Sequence, residues 1–137
     1  MKIDFTAVGL IISLGTNFIL LYSRKKKWAT NKLRWSVCGT LFFIGLVSIL
    51  SERSKINKDF YFFSWCMITP VIYNSLDRIF KTLSMKKNSR DFYLWLRGSD
   101  EIDDTLFGKN PHIKALDRLF SLLLLFSIIA LPLFGIK

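Results

Sequence analysis

Apolar runs separated by lysine and arginine dominate this chain, and their order points to a polytopic membrane protein before any motif is considered. The first run, Ile3 to Tyr22, leads directly into Arg24-Lys25-Lys26-Lys27, and a basic cluster in that place behaves as a cytoplasmic stop. Further runs extend from about Trp35 to Leu50, Phe60 to Phe80 and Leu119 to Ile136. Each approaches the roughly 20 residues that a helix needs to cross a hydrocarbon core about 30 Å thick. The expected fold is all-α, a single membrane domain over residues 1–137. It has four transmembrane helices, at 3–22, 35–50, 60–80 and 119–136, and an amphipathic cytosolic segment at 81–118. The second run is short, and the third is uninterrupted only to Tyr73 before Asn74, Asp77 and Arg78. Both therefore lean on bundle neighbours or interfacial extensions.

The chain is 51% hydrophobic yet carries a net charge of +10, with a mean hydropathy of +0.33. A nucleic-acid binder of that charge would spread its cations over a soluble basic face. Here they sit between apolar runs, which argues against nucleic acid. The first run is expected to stay in the protein as a helix and not be cleaved as a signal peptide. Asp4 spoils the basic n-region, no A-x-A-like site follows, and the polybasic block stands where cleavage would fall. Cys38 and Cys66 both lie inside apolar runs, so they read as small buried residues and no disulfide framework is implied.

The loops assign sides. Arg24, Lys25, Lys26, Lys27, Lys32 and Arg34 have no acid beside them, which makes that loop cytoplasmic. The connection Ser51 to Asp59 mixes Arg53, Lys55 and Lys58 with Glu52 and Asp59, which suits the outside. Lys81 to Arg118 is again basic and returns to the cytosol, so both termini are expected outside, the periplasmic side of a bacterial inner membrane. Tyr22, Trp28, Trp35, Tyr61, Trp65 and Tyr73 mostly fall near the helix ends, where amphipathic rings prefer headgroup level. Arg24 to Lys27 is also a candidate contact for anionic lipid, at about 1 kcal/mol per cation.

Within the first run Thr6, Gly9, Ser13, Thr16 and Asn17 recur at spacings of three and four. Such a small, weakly polar stripe is expected to pack a helix closely or face a membrane partner, and Asn17 should face protein or a wet crevice. Pro70 and Pro132 remove backbone hydrogen bonds and predict kinks. The near-repeat Leu76-Asp77-Arg78-Ile79-Phe80 and Leu116-Asp117-Arg118-Leu119-Phe120 brackets the cytosolic segment. It predicts a reciprocal clasp in which Asp77 meets Arg118 and Arg78 meets Asp117, of value mainly for register.

Inside the cytosolic segment, Leu76, Ile79, Phe80 and Leu83 extend the third helix amphipathically. Phe92-Tyr93-Leu94-Trp95-Leu96, flanked by Arg90 and Arg97, is too short to span. It reads as an interfacial anchor through Phe92, Tyr93 and Trp95, or as a segment packed on its own bundle. The acidic stretch Asp100 to Asp104 resembles the start of a short helix ended by Gly108 and Asn110-Pro111. It lacks the alternating ligands of a calcium loop, and no metal or cofactor site is expected.

Enzyme motifs are weak. His112 and Asp117 match the H-x-x-x-x-D spacing of glycerolipid acyltransferases, but the phosphate-binding block that should follow is missing. No G-x-S-x-G, P-loop, CxxC pair or HExxH occurs. As the only histidine, His112 cannot be half of a two-histidine metal site. A non-enzymatic protein that acts by intramembrane helix-helix binding is expected.

Residues Ser89-Arg90-Asp91-Phe92-Tyr93 shortly after Lys86-Lys87, and the ending Ala130-Leu131-Pro132-Leu133-Phe134-Gly135, give a layout over roughly half the chain. That layout resembles the inner-membrane immunity proteins that protect bacteria from pore-forming colicins. This chain adds a first helix and an acidic cytosolic patch. The resemblance implies that helix faces recognise the toxin's pore-forming hairpin laterally, with the outer hairpin Glu52 to Asp59 meeting toxin that arrives from the periplasm. Two other classes stay open: an oligomeric, holin-like pore, and an accessory subunit bound to a larger membrane complex through residues 82–110.

Overall fold

The computed structural model describes residues 4–51, 58–102 and 110–135, and among them every regular element is a helix. The order is α1 (Phe5–Tyr22), α2 (Asn31–Ser51), α3 (Lys58–Asn88) and α4 (Ala115–Leu133). α1, α2 and α4 are long and apolar enough to cross a membrane, as expected of a multi-pass membrane protein. α3 is the longest helix at 31 residues, about 46 Å at 1.5 Å per residue, but its composition does not place it with those three. Of the expected outer hairpin, residues 52–57 lie outside the described residues, as do 103–109 of the short helix expected from Asp100, whose described start at 100–102 is a turn.

Local chemistry explains the boundaries. The Asp4 carboxylate accepts from the N–H groups of Thr6 (3.0 Å) and Ala7 (3.2 Å) and so caps α1. The cations that follow Ser23 stand at the negative end of the α1 dipole. The Thr30 hydroxyl accepts from the Leu33 N–H at 3.3 Å, which starts α2 four residues before the expected Trp35. α3 ends where Ser89 turns left-handed at φ 57°.

Two compact units form, Met1–Asn74 with Ser127–Lys137, and Ser75–Phe126. In the first, α3 is ringed by the other helices. Phe5 meets Phe60 and Phe63, Gly9 lies against Phe63 and Cys66, and the hydroxyls of Ser13 and Thr69 share a hydrogen bond. Both sets of numbers rise together, so α1 and α3 run the same way. On α2, Gly45 faces Ser64 and Met67, whereas Cys38 Sγ donates to the Pro70 carbonyl at 3.4 Å. The reversed order makes α2 antiparallel to α3. Beyond the end of α4, Gly135 lies on Trp65, whose indole Nε1 donates to the Leu131 carbonyl at 2.8 Å.

Pro70 deprives the Cys66 carbonyl of its usual helical donor. The Thr69 hydroxyl supplies a replacement at 2.9 Å, so the proline is kept inside α3 without an orphaned carbonyl.

Small polar side chains share the interior with apolar ones, while many large apolar side chains face outward. α1 buries Gly9, Ser13 and Asn17 with Leu20 and Leu21, while Ile11 is 71% exposed. α3 hides Ser64, Thr69 and Asn74. Helices in lipid gain nothing by hiding leucine from hydrocarbon, so close contact and hydrogen bonding decide which face turns inward.

A Cβ at Gly45 would stand 2.8 Å from the Ser64 carbonyl oxygen, whereas one at Gly39 meets nothing within 4 Å. Gly45→Ala should therefore destabilise the protein by about 1–3 kcal/mol. Gly39→Ala should be neutral or stabilising by up to about 1 kcal/mol. Reversible unfolding in mixed micelles measures both.

Candidate functional site

Two places gather side chains that packing of apolar surface alone does not account for. The first is the inward face of α1. Gly9, Ser13 and Asn17 are buried and Thr6 and Thr16 half-buried, and the Thr6 hydroxyl donates to Asp59 at 3.5 Å. Asn17 is fully enclosed, and neither its amide oxygen nor its amide nitrogen has a hydrogen-bond partner. An unmet buried amide costs on the order of 1–3 kcal/mol. With Gly9 and Ser13 set against α3, this stripe is committed within the first unit.

The second place lies in the unit Ser75–Phe126, around a wholly buried carboxylate, that of Asp117. At the third position of α4 it reaches back to the Lys114 N–H at 2.7 Å, the side-chain half of a capping box. Arg90 forks onto the same carboxylate, with Nη2 at 2.8 Å and Nη1 at 3.4 Å. The Tyr93 N–H adds a bond to Oδ1 at 3.3 Å. The guanidinium also donates to the carbonyls of Asp91 (3.0 Å) and His112 (2.8 Å), and lies 4.5 Å from the Tyr93 ring centre. One arginine thus ties the chain after α3 to the residues that lead into α4.

Downstream, the non-helical run through Phe92–Trp95 is held largely by side chains of α4. The Trp95 N–H donates to Ser121 Oγ at 2.8 Å, and the Ser121 hydroxyl lies 3.2 Å from the Tyr93 carbonyl and 2.7 Å from that of Asp117. Glu101 accepts from the Leu94 N–H at 2.9 Å. Backbone groups that no strand partner satisfies are met by a carboxylate or a hydroxyl. Phe92 is fully buried, edge-on to Phe120, which stacks on Phe80 at 4.8 Å.

The expected residues land as follows. Asp117 is taken by Arg90, and Arg118 lies over the Trp95 ring at 5.1 Å. The α4 half of the Asp77–Arg118 and Arg78–Asp117 clasp therefore has other partners, because Arg90 offers a planar two-point fork. Arg78 is exposed and Asp77 buried. Of the anchor residues, Phe92 turns inward and Tyr93 and Trp95 are half-buried, so the segment packs on α4. Of the basic block, Arg24 is half-buried and Lys25, Lys26 and Lys27 are exposed.

His112 does not meet Asp117 through its ring; its Nε2 lies 3.3 Å from the Glu101 carbonyl and its ring edge-on to Tyr93. Among the described residues no three His, Cys, Asp or Glu side chains gather to hold a metal ion; Asp103 and Asp104 lie outside them. Arg90, Glu101 and Ser121 carry no local signal of these roles in the sequence; within this cluster Asp117, three residues after Lys114, stands where a capping acid would. No protein-family model, curated protein or solved structure matches the chain.

Arg90→Met leaves the Asp117 charge buried without its fork, and should cost about 3 kcal/mol. Arg78→Ala should stay within about 0.5 kcal/mol. Adding Asp117→Leu to Arg90→Met should recover part of the loss, a non-additivity that a double-mutant cycle in micelles measures.

Proposed function

We propose that the protein is a non-enzymatic, multi-pass protein of a bacterial inner membrane that acts by helix-helix binding in the plane of the bilayer. In this reading all four helices span, α3 as the enclosed one. Both termini lie outside and residues 81–118 face the cytosol. The observation that carries the reading is the outward face of α2. Only Cys38 and Gly45 of its 21 residues are buried. Ser36, Gly39 and Thr40 stand exposed together beside Phe43, which is 64% exposed. Small residues flanked by apolar bulk on a spanning helix suit the backbone approach of another helix. The small stripe of α1 is already used against α3, which leaves α2 as the available face.

The partner that best suits such a surface, given the resemblance in layout, is the pore-forming hairpin of a bacteriocin, and the protein would then be an immunity protein. Lateral capture of that hairpin would keep the channel from opening. The apolar exterior of α1, α2 and α4 favours this over a holin-like homo-oligomeric pore, which needs a polar lining. An accessory subunit of a larger complex would use the same face.

Expression in a sensitive strain should protect against one member of a panel of pore formers, and Gly39→Leu should abolish protection while Ile11→Leu keeps it. No protection against any toxin, including one encoded beside it, sinks the immunity reading. Collapse of membrane potential on overexpression identifies a pore, and a stoichiometric partner on mild purification identifies a subunit. A periplasm-active reporter fused after Lys55 and a cytosol-active one after Asn88 should both be active; the reverse pattern overturns the topology.

A further inference from the structure

A cavity of about 230 Å³ opens between the last turns of α1 and the first turns of α2, lined by Ile19, Leu20, Trp28, Leu33, Arg34 and Val37 among others. It is smaller than the roughly 300–1,000 Å³ of pockets that take drug-sized ligands. It is larger than the ~150 Å³ engineered cavity that takes benzene. An apolar space of that size suits a stretch of flexible hydrocarbon. α1 and α2 are both candidate membrane spans, so the neighbours of this cavity in a bilayer are acyl chains.

Charge selects among lipids. The turn beside the cavity carries Arg24, Lys25, Lys26 and Lys27, and Lys32 and Arg34 follow in the first turn of α2. Between Phe5 and Ser51 the chain has no aspartate or glutamate, so any acid that meets these cations comes from another part of the chain. Arg34, the charged residue of the wall, is half-buried, and Trp28, 60% exposed, brings an amphipathic ring to the same place.

We propose that this cavity holds a stretch of one acyl chain of an anionic phospholipid whose phosphate is drawn by the Arg24–Lys27 turn and Arg34. The site rests on the membrane-spanning part of the reading above and not on the toxin. It would pin the α1–α2 turn at the cytoplasmic surface and favour anionic membranes.

Trp28 is the reporter. Vesicles of phosphatidylcholine receive traces of acyl-brominated phosphatidylglycerol or acyl-brominated phosphatidylcholine, and the quenching lost in Trp28→Phe is measured. Brominated phosphatidylglycerol should quench Trp28 at a mole fraction about tenfold lower than brominated phosphatidylcholine. Val37→Phe, which fills the cavity, should abolish that preference. Lys25→Gln with Lys26→Gln should lower it about tenfold. Equal quenching by the two lipids overturns the site. So does a preference lost with the charges but untouched by Val37→Phe, since surface attraction then suffices. Failure of the protein to float with either vesicle overturns the membrane reading and the site with it.

Discussion

The first unit depends on how closely other backbones can approach α3. Gly9 and Gly45 sit where a methyl group would be crowded or clash, and the Ser13–Thr69 and Cys38–Pro70 bonds form only at that separation. Lipid gives helices no hydrophobic reason to associate, so close packing and short polar contacts must hold them together. The polar content of α3 follows from the same constraint. A helix enclosed by its neighbours can hold serine, threonine and asparagine that would be expensive against hydrocarbon.

The second unit is organised by a different economy. Asp117 is buried as a charge, which is tolerable because four N–H donors from Arg90, Lys114 and Tyr93 converge on it. The same bonds start α4 and fix the chain that enters it. Ser121, one turn later, accepts from the Trp95 N–H and shares its one proton between the carbonyls of Asp117 and Tyr93. A segment of no regular structure is thus held by side chains that α4 presents one turn apart. Rings take the remaining space, with Phe92 and Phe80 on either side of Phe120.

Much of this was legible in advance, and the gaps have identifiable causes. α1 and α4 were readable because hydrophobic runs of spanning length leave few alternatives; α2 began four residues earlier than expected because its hydrophilic first turn is capped by Thr30. The paired Leu-Asp-Arg sequences point to Asp117, whose observed partner is Arg90. Arg90 lies in a stretch without periodicity, and nothing local marks it as the partner of a residue 27 positions away. Phe92, Tyr93 and Trp95 look like an interfacial belt because composition cannot distinguish rings that face headgroups from rings that face a helix.

By itself, the sequence determined the helical class, the rough limits of the three apolar helices α1, α2 and α4, and the basic turn after α1. These follow from hydropathy, charge and capping, which act over a few neighbouring residues and can be summed along the chain. Only the tertiary structure decided that the small face of α1 is spent on α3, that α2 is left outward with Gly39 open, that Arg90 takes Asp117, and that a cavity lies beside the basic turn. Each of these depends on which distant backbone comes near enough to touch, and that is a property of the packed helices together.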